Sequence, residues 1–114
     1  MWDMDIFMAW FYLIIAGVFE VVWAIGLKYS NGFTKLYPSL ITIGGMLISF
    51  YLLSLATKSL PIGTAYAIWT GIGALGAVLL GIVLFNEPLN ISRIFFLCLL
   101  LIGIIGLKMT ASAN

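Results

Sequence analysis

The chain has no histidine, so metal and imidazole chemistry lose their usual ligand. It has a single cysteine, Cys98, in an apolar run, where it reads as an inert small hydrophobe. Charge is scarce: five Lys and Arg and four Asp and Glu make up 8% of 114 residues, against about 25% in a soluble domain. So few charged groups cannot cover a water-facing surface. A formal net charge of +1 gives no basic patch for nucleic acid. Nor does the sequence carry a nucleophile–base pair, a phosphate loop or a metal cluster, so neither an enzyme nor a cofactor or metal is expected. The run Gly71-Ile72-Gly73-Ala74-Leu75-Gly76 spells a dinucleotide fingerprint, but it lacks a preceding soluble strand and an acidic residue about 20 positions on.

What is present is apolar: 64% of the residues are hydrophobic. A membrane-spanning helix needs about 20 residues, so four spans nearly exhaust the sequence. Charges and turn residues divide it into spans at about 9–27, 38–57, 62–85 and 93–109, expected as one all-α transmembrane domain over residues 8–114. Lys28-Tyr29-Ser30-Asn31-Gly32, Lys58-Ser59-Leu60-Pro61 and Asn86-Glu87-Pro88-Leu89-Asn90 separate the spans, and connections this short make successive helices antiparallel neighbours. The fourth span is short, so Arg93 or Lys108 must snorkel or face protein. Residues 1–7 begin with an acidic stretch rather than a basic one. They read as a short exposed extension and not as a cleaved signal, and Met8 is an alternative start.

Four spans place both termini on one side of the membrane, together with Lys58 and Lys108, against Lys28, Lys35 and Arg93 on the other. Charges so nearly balanced give little orientation bias and admit insertion in one direction or both. Two copies of opposite orientation would pair about an axis in the membrane plane, the symmetry that larger transporters obtain from inverted repeats, with a site at the midplane.

Glu20 is the outstanding candidate for chemistry. A carboxylate at the bilayer centre costs about 2.5–3.5 kcal/mol or more, so such a group faces the bundle interior or a wet cavity. There it would hold a proton until a cation offers compensating charge, as exchange of one for the other requires. The alternative is a structural carboxyl bonded between helices. Gly17 and Trp23 share the helical face of Glu20; the glycine would leave room beside the carboxyl and the indole would offer a π-face to a cation. Tyr66 and Trp69 share a stripe of the third span that reads either as site lining or as packing. Ser49 could bond a carboxylate or its own backbone. Gly71 and Gly73 would permit close packing or a bend. Gly103 and Gly106, with Ser112 beyond, would form a close-packing face that suits a dimer seam or packing within one chain. Glu87, beside Pro88, reads as a solvated turn or helix-entry residue and not as a site.

From about Met8 to Thr110 the sequence resembles the small multidrug resistance transporters. The resemblance rests on Glu20 in the first of four short helices, on Lys28-Tyr29-Ser30-Asn31-Gly32-Phe33-Thr34 and on the stretch Pro61-Ile62-Gly63-Thr64-Ala65-Tyr66-Ala67-Ile68-Trp69-Thr70-Gly71-Ile72-Gly73. Phe19-Glu20-Val21-Val22-Trp23 and Lys108 look like the guanidinium-exporting branch; the drug-exporting branch usually has a small residue where Trp23 stands. The resemblance implies an antiparallel, dual-topology homodimer in a bacterial inner membrane. It also implies that two Glu20 carboxylates share one site for protons or a guanidinium cation. Gly17, Trp23, Ser49, Tyr66 and Trp69 would line or support that site, and Gly71 and Gly73 would mark a bend. Asn86 departs from the pattern, standing where this branch often has a basic residue. The competing functions are export of quaternary ammonium drugs by the same fold and a non-transporting scaffold subunit.

Overall fold

A computed structural model describes residues 2–111. It contains four helices, α1 (Trp2–Tyr29), α2 (Leu36–Ala56), α3 (Ile62–Phe85) and α4 (Ile91–Thr110), each long and apolar enough to cross a membrane. The chain is thus an all-helical, multi-pass membrane protein. Residues 2–7 lie within α1, which has no Gly or Pro to interrupt it before Gly17, and Asp5 suits the positive end of the helix dipole. Met1 and Ser112 lie outside the described residues.

The connections follow from local chemistry. After α1, Asn31, Gly32 and Phe33 all adopt left-handed backbone, at φ values of 50°, 70° and 65°. Ser30, fully buried, ties this turn down by donating to the Leu27 carbonyl at 2.7 Å and accepting the Phe33 N–H at 3.1 Å. Pro61 stands at the N-cap of α3, with its fixed φ, and Leu60 ahead of it is buried in the core. Asn86 ends α3 in the left-handed region at φ 56°, a conformation that Asn tolerates better than most residues. The Asn90 side chain caps α4 by accepting the Arg93 N–H at 2.9 Å, which starts the helix at Ile91, two residues before the expected span.

Helix α1 is the centre of the bundle, packed on α2 and α3, whereas the backbone of α4 approaches α3 closely and reaches α1 only through a long side chain. In lipid the apolar surface is no driving force for helix association, so close approach at small residues matters more. Gly26 of α1 faces Thr42 of α2, Gly45 of α2 faces Trp23, and Gly71 of α3 faces Ile104 of α4. A buried core of Ala9, Leu13, Ala16, Ala56, Leu60, Ala65, Ile68 and Trp69 fills the end of the bundle that holds the chain termini. Toward the other end the packing opens into an apolar groove of about 390 Å³ between α1 and α3, lined by residues such as Val18, Val22, Ile72 and Leu79. The two cations of α4 both face protein: Arg93 pairs with Glu87 at 3.5 Å, and the Lys108 ammonium lies 5.0 Å from the centre of the Trp10 ring. The latter contact puts the last turn of α4 beside the first part of α1.

Candidate functional site

The site is built where the terminal core gives way to the groove. Ala16, Glu20 and Trp23 recur about once per turn on one side of α1. Ser49 and Phe50 come from α2, and Tyr66, Trp69 and Gly73 from α3.

Two of these contacts fix the position of Glu20. Its carboxyl lies against Gly73, and a Cβ on that residue would overlap it. One turn earlier, Ser49 Oγ donates to the Ala16 carbonyl at 2.6 Å and accepts the Trp69 indole N–H at 2.9 Å. Both bonds are buried, so one hydroxyl joins three helices beside the carboxylate-bearing turn. Glu20 Oε1 is buried and has no hydrogen-bond partner among the described residues; the same is true of Trp23 Nε1. An acceptor and a donor left unpaired in one apolar region are costly and call for partners from outside the chain.

Aromatic rings extend from this point. Trp23 meets Phe50 edge-on at 6.5 Å between centroids, Phe50 meets Trp69 at 5.8 Å, and Trp69 meets Tyr66 at 5.5 Å. Trp69 is only 6% exposed, whereas Tyr66 is 55% exposed and ends the row on an open face. A carboxyl oxygen one helical turn from such a row can receive a flat cation bearing N–H donors.

Several expectations are revised by this geometry. Gly17 does not leave room beside the carboxyl; its open side is occupied by Ile72 of α3. Ser49 bonds Ala16 and Trp69 rather than Glu20. The helix α3 runs unbroken through Gly71 and Gly73, which serve within this chain as seats for Ile104 and for Glu20. Among the described residues, no side chain comes within 4 Å of a Cβ added at Gly103 or Gly106. Trp23, Tyr66 and Trp69 do gather in one aromatic row with Phe50, which sequence reasoning missed. Its only signal was a place next to Ser49 in an uncharged span, where any apolar residue is expected. Glu87 lies in the α3–α4 connection, where its partly exposed side chain pairs with Arg93 and lies over Gly81.

Residues 8–100 match the sequence model of the family described as Small Multidrug Resistance protein. The chain belongs to this family. A guanidinium exporter of Yersinia pseudotuberculosis serotype I (strain IP32953) is 60% identical over 104 residues, covering 91% of this chain and all of that protein. A guanidinium exporter of Escherichia coli (strain K12) is 57% identical over 103 residues, covering 90% of this chain and 98% of its own length. One from Proteus vulgaris is 55% identical over 104 residues, with 91% and 100% covered. These family relatives are transporters by name, and their similarity takes in the whole of the Glu20 site.

Proposed function

We propose that this protein exports guanidinium cations in exchange for protons, by alternating access, as an antiparallel homodimer in a bacterial inner membrane. The observation that carries this reading is the Glu20 carboxyl, set within a membrane-spanning helix with a buried, unpartnered oxygen beside an aromatic row. Guanidinium is planar, and its forked N–H donors match a carboxylate. Trp23, Phe50 and Trp69 supply faces and edges for that plane, and the Trp23 indole N–H supplies a further donor that orients the carboxylate once the site is loaded. The guanidinium exporters similar to this chain support the choice of substrate.

Exchange needs two occupants that exclude one another. Glu20 is either protonated or bound to the cation, because one oxygen cannot carry the proton and accept the guanidinium fork together. With two copies of opposite orientation, the paired Glu20 groups would share one midplane site and the two-fold axis would make the inward-open and outward-open forms equivalent. Balanced Lys and Arg counts on the two sides favour such dual insertion. The open Gly103 and Gly106 face of α4 supplies a seam for pairing.

Solid-supported-membrane electrophysiology on reconstituted protein tests the reading, with guanidinium and tetrapropylammonium compared in wild type and Glu20→Gln. Guanidinium currents that vanish in the variant are expected. Currents with tetrapropylammonium alone would move the function to drug export. Proton uptake driven by a guanidinium gradient in Glu20→Gln would overturn the mechanism.

A further inference from the structure

The first turn of α4 carries a charge arrangement that the transport site does not use. Arg93 sits in that turn, near the positive end of the helix dipole, and no acidic residue shares the turn. Glu87, in the preceding connection, meets its Nη2 at 3.5 Å, and both side chains stay more than one-third exposed. The Asn90 side chain satisfies the Arg93 N–H. Among the described residues the backbone N–H groups of Ile91 and Ser92 in that turn have no acceptor, as expected for the first residues of a helix. From this turn a groove of about 310 Å³ runs between α3 and α4, lined by Ser92 and Arg93 at one end and by Val78, Phe96, Leu97 and Leu100 along its length. Arg93 to Leu100 is two turns, about 10 Å along the membrane normal.

A polar head at the membrane boundary followed by an apolar trough into the bilayer is the shape of a phospholipid. The head is not simply cationic. Arg93 and Glu87 form a short plus–minus pair, and the complementary ligand is a minus–plus pair: a phosphodiester on the Arg93 guanidinium, the Ser92 hydroxyl and the free N–H groups, and an ammonium on Glu87. We propose that the α3–α4 groove is a binding site for an ethanolamine phospholipid, its phosphate held at Arg93 and Ser92, its ammonium at Glu87 and one acyl chain against Val78, Phe96, Leu97 and Leu100. The site is separate from Glu20. On α4, Gly106 lies about 140° and Gly103 about 80° around the helix from Arg93, so the phosphate end of the groove points away from the glycine face, while Phe96 borders that face.

The test is native mass spectrometry of full-length protein, first reconstituted into equal parts of ethanolamine, glycerol and choline phospholipids and then extracted in mild detergent. The variants are Arg93→Gln, which removes the phosphate partner, and Leu97→Trp, which fills the trough and keeps the head intact. One ethanolamine lipid retained per chain in preference to the other two is expected, with retention at least about fivefold lower in each variant. Helical content by circular dichroism selects variants that fold, and a loss in either one alone supports the site. Equal retention in wild type and both variants overturns the proposal, as does preference for the glycerol or choline lipid. Stabilisation by inorganic phosphate equal to that by the lipid would show an anion site without lipid and overturn it too. Near-complete disulfide formation between two copies of Phe96→Cys, in a Cys98→Ser background and lipid-containing vesicles, would place a second chain in the groove instead.

Discussion

The Glu20 carboxyl rests on Gly73, in space that any other side chain would fill. Gly73→Ala therefore pushes the carboxyl off its seat or α1 off α3. Overpacking of this kind costs about 1–3 kcal/mol. Because a misplacement of about 1 Å can cost a hundredfold in rate, transport should fall further than stability does. Guanidinium currents reduced about a hundredfold, in protein that still inserts and shows full helical content, is the expected result. Near-normal currents would show that the carboxyl is not positioned by α3.

Ser49 can be tested by separating its two bonds. Ser49→Ala leaves the Trp69 indole N–H without an acceptor in a buried setting, at a cost of about 1–3 kcal/mol. The Ala16 carbonyl keeps its place in the backbone of α1, so most of the cost belongs to Trp69. Trp69→Phe in the Ser49→Ala background should then cost less than the sum of the two single changes. Thermal unfolding of the four proteins in one detergent measures this coupling. Strict additivity would mean that the three-helix junction does not act as a unit.

Much of this architecture was legible in the sequence because lipid imposes simple rules. Four apolar runs, three polar connections and one charged residue inside a run fix the number of helices and single out Glu20. The ends were less legible. Residues 2–7 look like an extension because they are acidic, yet the same acidity suits the first turn of a helix. Side-chain partners were the least legible of all. Spacing put Gly17 on the face of Glu20, but which glycine meets the carboxyl depends on how α1 is rotated and shifted against α3, and that register brings Ile72 to Gly17 and Glu20 to Gly73. Phe50 was invisible for the same reason: its role comes from rings on two other helices.

On α4, Gly103 and Gly106 have no described side chain within 4 Å of an added Cβ. Gly103→Leu with Gly106→Leu should leave the single chain folded and weaken its pairing. Loss of a close helix contact on the scale of an intramembrane association, about 1–2 kcal/mol, shifts a dimer constant roughly five- to thirtyfold. Size-exclusion chromatography with light scattering across a range of detergent dilutions reads this directly. An unchanged dimer would place the seam elsewhere on the molecule.

Lys58 and Lys108 on the terminal side stand against Lys28, Lys35 and Arg93 on the other, and Asn86 adds nothing to the second set. Orientation follows the distribution of Lys and Arg near the ends of the spans. A single added charge is therefore a large fraction of the difference. Leu89 is exposed in the α3–α4 connection, so Leu89→Lys changes the count with little structural cost. It should shift the population toward chains whose α1–α2 and α3–α4 connections face the cytoplasm. Coexpression with a Lys58→Gln, Lys108→Gln partner biased the same way should then yield little transport, because copies of one orientation cannot form the antiparallel pair. Cysteine accessibility from each side of the membrane measures the orientation, and guanidinium uptake into vesicles measures the consequence. Full transport from chains shown to share one orientation would exclude the antiparallel dimer as the working unit.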